Sequence, residues 1–197
     1  DNNSMRKKIK EYISKSIDIL QDAQLKLRSS EDKQPIILDK EYFHKKFMNE
    51  VNISEDITEF RALKDIKKPV LYWFELTSSN NNKAIRDAFI KGYREPIKKG
   101  LKTPYRNTSS YKKAYSSIST TLYVGKVEIG FWGRLVTHLG YSQSPKTAGM
   151  QLFHWYNPEV FGNIKLNYIV LEENMKHLIV ILEKQLAKEL KPLIGRY

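Results

Sequence analysis

The chain has 197 residues, 41% of them hydrophobic and 12% aromatic, which is enough for one domain with an extension or two small domains and excludes a disordered chain. Lys and Arg number 34 against 22 Asp and Glu, a formal charge of +12, and such an excess points to a polyanionic partner, nucleic acid before an anionic membrane or an acidic protein. The absence of cysteine excludes disulfide frameworks, thiolate nucleophiles and cysteine-based zinc fingers; with no apolar run near the roughly 18–20 residues that span a bilayer, a soluble cytoplasmic protein without a membrane partner is expected.

In chain order, Ile9, Ile13, Ile17, Leu20 and Leu27 recur at helical spacing and predict an amphipathic helix over 5–28, broken by the polar residues 29–32 and Pro35. A second helix is expected over 39–48 behind Asp39 as N-cap, and a third over 54–65. Residues 1–66 therefore read as a helical N-terminal extension, expected either to grip DNA or to form a homodimer interface. Lys67, Lys68 and Pro69 close it, and VLYWFEL (70–76) is a β-prone run bounded by the turn-rich TSSNNN.

From 83 to 113 the chain carries ten basic residues against Asp87 and Glu95, a net +8, interleaved with Tyr93, Tyr105, Tyr111 and Tyr115. Lys and Arg mixed with Tyr suit phosphate contacts plus base stacking, so Lys98, Lys99, Lys102, Arg106, Lys112 and Lys113 are candidate nucleic-acid contacts. A solvated charged face is the competing reading. Next, TTLYVGKVEIGFWGRLVTHLG (120–140) reads as a strand, a glycine turn and a short helix that places Arg134 and His138 one turn apart. LFHWYN (152–157) is ambiguous, 164–171 is a strand, and 172–190 is a strong helix stopped by Pro192 and Gly195. The expected core is thus α+β: a small three-stranded antiparallel or mixed sheet flanked by helices over 67–197, with a basic insertion at about 80–116.

The glycines fit neither common phosphate-binding fingerprint. Gly125-Lys126-Val127 lacks the Ser or Thr of a P-loop lysine motif, and Gly130 with Gly133 lacks the first glycine pair of a dinucleotide site. The four histidines show no metal-ligand spacing.

One constellation does fit. Val70-Leu71-Tyr72, then Tyr123-Val124-Gly125, then Arg134 and His138, then Glu183 followed by Lys191-Pro192 resembles the GIY-YIG nuclease family, over about 70–196. The resemblance implies an endonuclease, with restriction-type members the nearest in layout. It makes Tyr72 the general base toward water and gives Tyr123 the positioning of that water. Arg134 would hold a phosphate oxygen, His138 would accept or relay the Tyr72 proton, and Glu183 would bind Mg²⁺ or Mn²⁺; Lys126 joins the DNA contacts. A hard carboxylate oxygen for Mg²⁺ and an always-charged guanidinium for phosphate suit phosphodiester hydrolysis. Two departures stand out: the spacing between Tyr72 and Tyr123 is far longer than the family's usual short hairpin, which makes the basic segment an insertion between the first two strands, and Gly195 stands where many members carry Asn. A catalytically degenerate scaffold of this type that binds nucleic acid without cutting it is the alternative.

Overall fold

The computed structural model describes residues 2–29, 33–49 and 53–197. An α+β fold surrounds one four-stranded antiparallel sheet of order β1-β4-β2-β3. Strand β2 (Val70–Leu76) lies between β3 (Thr121–Val127) and β4 (Ile164–Val170), with Tyr72 opposite Gly125 on one side and Tyr168 on the other. The run VLYWFEL is nearly all apolar because both its faces are covered. Val70, Tyr72, Phe74 and Leu76 enter the main core, and Leu71 enters a second, smaller one.

The sheet has one strand more than the three expected. Strand β1 (Ile36–Leu38) pairs with the outer side of β4, sending Ile36 and Leu38 into the main core and leaving Ile37 exposed. Three residues are too few to show an alternation in sequence, and the strand exists because β4 offers it a ladder. Tyr42, Phe47, Phe60 and Leu63, all from before residue 67, consequently share the main core with Tyr72 and Phe131.

Helix α1 (Asn2–Ser29) forms as expected, but Ile9, Ile13 and Ile17 remain about half exposed. Only its later turns, with Ile19, Leu20 and Ala23, pack against Leu71, Leu171, Met175 and Ile179. The expected helix over 39–48 is instead two 3₁₀ turns, Lys40–Tyr42 and Lys45–Asn49; the Asp39 carboxylate does cap the first by accepting from the Glu41 amide. The third splits at Ile57 into α2 (Ile53–Asp56) and α3 (Thr58–Lys64). Most of the break expected at 29–32 lies outside the described residues.

The basic segment starts as a helical run: α4 (Asn82–Asp87), a π-helical stretch Ala88–Arg94, and α5 (Glu95–Lys98). After β3, α6 (Phe131–Leu139) follows Gly130, whose φ of +78° is the left-handed conformation that turns the chain from strand into helix. Short α7 (Pro158–Phe161) precedes β4. A 3₁₀ turn at Glu173–Met175 leads into α8 (Ile179–Leu190), so the regular helix is shorter than the expected 172–190. No described helix is long and apolar enough to cross a membrane.

Candidate functional site

Strand register sets the first part of the site. Tyr72 pairs with Gly125 and Phe74 with Tyr123, so both tyrosines lie on one face of adjacent strands, their rings 6.4 Å apart and nearly parallel. Gly125 is what lets them do so. A Cβ there would lie 2.5 Å from Tyr72 Oη and 2.7 Å from Tyr123 Cε1, distances no carbon tolerates.

Helix α6 supplies the second part. Arg134 donates from Nε to Tyr72 Oη at 3.4 Å and from Nη1 to the Ala148 carbonyl at 2.6 Å. The glycine turn therefore does allow Arg134 to reach the tyrosines. One turn on, His138 is completely buried, with Nε2 3.0 Å from Tyr72 Oη. The Met150 amide donates to His138 Nδ1 at 3.2 Å. That bond occupies the Nδ1 lone pair, so the neutral ring carries its proton on Nε2 and donates to Tyr72. Burial, aided by the Arg134 charge, keeps the imidazole pKa well below its ordinary value. In this arrangement His138 donates to Tyr72.

The third part comes from α8 and the chain end. Since β3 is the sheet edge, α8 can cover the second face and still bring Glu183 round to the edge beside Tyr123 and Lys126. Residues 193–195 then run along that edge: Leu193 and Ile194 amides donate to the Thr121 and Leu122 carbonyls, and the Gly195 amide to that of Ser110. This return places Arg196 and Tyr197 over the cleft, where the Tyr197 hydroxyl donates to Glu183 Oε2 at 3.2 Å. The fourth wall is 107–110, anchored where the Ser109 amide meets the Gly149 carbonyl at 2.9 Å.

Together these walls enclose a cleft of about 460 Å³ that Tyr123, Lys126, Arg134, Glu183, Arg196 and Tyr197 border. Three cations face one carboxylate, a balance that favours an anionic ligand. Burial raises the Glu183 pKa, opposed by the Tyr197 hydroxyl and by Lys126. Tyr123 is also raised by burial, with Arg134 acting against it. Tyr72 is raised by burial and then by Tyr123, and it has no solvent exposure at all. It lies beneath the cleft, not on its surface.

As for a cation, no group of three or more acidic, His or Cys side chains gathers among the described residues. The donor set is the single hard carboxylate of Glu183. It fits the way Mg²⁺ binds to one carboxylate while keeping water and taking phosphate oxygens, and does not fit a closed protein cage.

The basic segment divides into two populations. Lys98, Lys99, Lys112 and Lys113 are exposed, as nucleic-acid contacts require. Lys102 is exposed but donates to the Gly92 carbonyl at 2.7 Å, and Lys126 pairs with Glu128 at 2.8 Å on the cleft border. Arg106 departs from expectation: it is 6% exposed and donates to the Ser142 carbonyl, so it is no surface contact. Part of the Arg and Tyr interleaving is internal structure. Tyr111 sits between Arg86 and Arg94, whose guanidinium carbons lie 5.3 and 5.0 Å from its ring centre.

Sequence reasoning missed Lys184 and Lys188 of α8 and Lys191 just past its end, which line a groove with Lys112 that meets the cleft at Tyr197; the four-residue spacing of the first two was the signal available. Comparisons of the chain with family models, with curated proteins and with solved structures find no match.

Proposed function

We propose that the protein is a metal-dependent endonuclease of GIY-YIG type acting on DNA. The observation that carries this reading is the convergence of Tyr123, Arg134 and Glu183 on one cationic cleft, with Tyr72 and His138 hydrogen-bonded in the layer beneath it. Composition alone makes no such demand. A Tyr on an apolar strand is ordinarily core, and a Glu on a surface helix is ordinarily solvated.

In this reading the scissile phosphate enters between Arg134 and Glu183. Arg134, held by the Ala148 carbonyl, presents a fixed positive fork to a non-bridging oxygen. A cation on Glu183, when bound, neutralises charge that develops on the phosphate and the leaving oxygen. The phenol that can meet the attacking water is Tyr123, because it borders the cleft whereas Tyr72 is sealed below it. Tyr72 then acts as a positioning residue, its oxygen accepting from His138 and Arg134 and so fixing the guanidinium against the rings. This exchanges the roles that the resemblance gave the two tyrosines. DNA follows the Lys112, Lys184, Lys188 and Lys191 groove to the cleft. The restriction-type subclass and the cytoplasmic location belong to the same proposal.

The burial of Tyr72 and the raised pKa of both phenols favour one second reading, a module that binds nucleic acid without cutting it. Incubating plasmid with the protein and Mg²⁺, beside Arg134→Ala and Glu183→Ala, separates the two. Cleavage lost in both variants supports the nuclease. Tight binding with intact DNA across metals and substrates, wild type included, moves the conclusion to the binding module.

A further inference from the structure

A second pocket, sharing no lining residue with the first, lies between the π-helical stretch, the 101–106 loop and His154. Its volume is about 280 Å³, just below the roughly 300–1,000 Å³ typical of drug-sized ligand sites and large enough for a small anion. Arg106 borders it, 6% exposed, and its hydrogen bond goes to a neutral acceptor, the Ser142 carbonyl. No described carboxylate forms an ion pair with it. Its Nε is buried without a partner, and so is Oη of Tyr93, 3% exposed on the same pocket. Lys102 stands at the rim with its ammonium 5.7 Å from the Tyr93 ring centre. His154 stacks on that ring at 5.6 Å and 5°, its Nε2 engaged with the Gly140 carbonyl at 2.9 Å.

A guanidinium out of water without a counter-charge is costly, and such groups in folded proteins are paired. Both unpartnered atoms are able to donate, and no acidic side chain borders the pocket. What is missing is an acceptor with negative charge and more than one oxygen. The same field shows in the neighbours: burial holds His154 below its ordinary pKa, with Arg106 and Lys102 adding to the effect against the Gly140 carbonyl.

We propose that this pocket is a second anion site that takes a phosphate-class oxyanion, held by Arg106 and Tyr93 within and by Lys102 at the rim. The inference stands without the nuclease reading. Arg106 is nevertheless joined by one peptide bond to Asn107, which borders the first cleft, so an occupied pocket would brace that cleft's 107–110 wall.

The test follows the ring resonances of His154 by NMR while inorganic phosphate is titrated into the full chain in chloride buffer, with His44 and His177 as internal references. A saturable shift confined to His154, weakened about tenfold or more in Lys102→Ala and in Tyr93→Phe, is the expected result. Neither substitution removes a core ring, and the surface lysine leaves the fold untouched. Absence of a saturable shift in the wild type, or unaltered affinity in both variants, overturns the proposal. A parallel titration with oligonucleotides, with and without a 5′-phosphate, identifies the source. A shift with either oligonucleotide assigns the pocket to strand phosphates, and a shift with inorganic phosphate alone assigns it to the free anion.

Discussion

Replacing Gly125 by Ala tests the site and the fold together. The new methyl carbon would lie 2.5 Å from Tyr72 Oη, 2.6 Å from its Cζ and 2.7 Å from Tyr123 Cε1. Restoring ordinary carbon contacts of about 3.5–4.0 Å needs a combined movement of about 1 Å. Tyr72 has no free space to give, since Phe74, Phe131 and His138 surround its ring at 5.3–6.1 Å between centres. Overpacking of this kind costs about 1–3 kcal/mol, and the entropy gained on replacing a strand glycine returns about 0.5–1 kcal/mol. The net loss reaches about 2.5 kcal/mol and centres at about 1 kcal/mol, a fall in Tm of about 2–4 °C at that centre for a chain of this size. In the nuclease reading, moving the tyrosines about 1 Å from Arg134 also costs about a hundredfold in cleavage rate. Gly133→Ala on α6 is the control: a Cβ there would meet nothing within 4 Å beyond its own helix, and the substitution should stabilise by about 0.5–1 kcal/mol. Thermal unfolding by circular dichroism and plasmid nicking read the two effects separately. A Gly125→Ala protein with wild-type Tm would refute the packing argument whatever the activity.

Glu183→Gln should stabilise the protein at neutral pH while removing metal-dependent cleavage. With its pKa raised by burial, Glu183 binds more protons folded than unfolded, so stability falls as pH rises from the ordinary Glu range through the raised value; denaturation in EDTA should show the variant's advantage vanish in acid. Tyr111→Leu removes a ring held by two guanidinium groups and should cost about 1–2 kcal/mol in urea unfolding, with no direct effect on the cleft. Lys112→Ala and Lys188→Ala should each reduce the salt slope of duplex DNA binding by about 0.9. An unchanged slope in both would place the DNA elsewhere.

The sequence made the site more legible than the fold around it. Arg134 and His138 stood out because four positions make one helical turn, whereas Tyr72, Tyr123 and Glu183 were singled out only by the resemblance to a known order of motifs. What no local pattern could supply was direction. Tyr72 is sealed because its neighbours across three elements close over it, and the proton on His138 is fixed by an amide twelve residues away at Met150. Arg106 looked like one more exposed cation because charge density in a segment says nothing about which member turns inward. Strand β1 and the wall at 107–110 exist only as partners of distant chain, β4 in one case and Gly149 in the other.

The return of residues 193–197 along the edge of β3 sets an order in time. Tyr72 precedes Tyr197 by 125 residues, which at roughly 5–20 residues per second is about 6–25 s of synthesis. Strand β3 is complete at Val127, 70 residues before Tyr197, so for about the last 4–14 s of that interval the nascent chain can pair β2 with β3 while Glu183 has no Tyr197 beside it and the cleft has no roof. A chain stalled or truncated before the Leu193 and Ile194 amides reach Thr121 and Leu122 carries the tyrosines and Arg134 without a finished cleft around them. Ribosome-bound fragments of increasing length should therefore gain the sheet well before they gain the cleft.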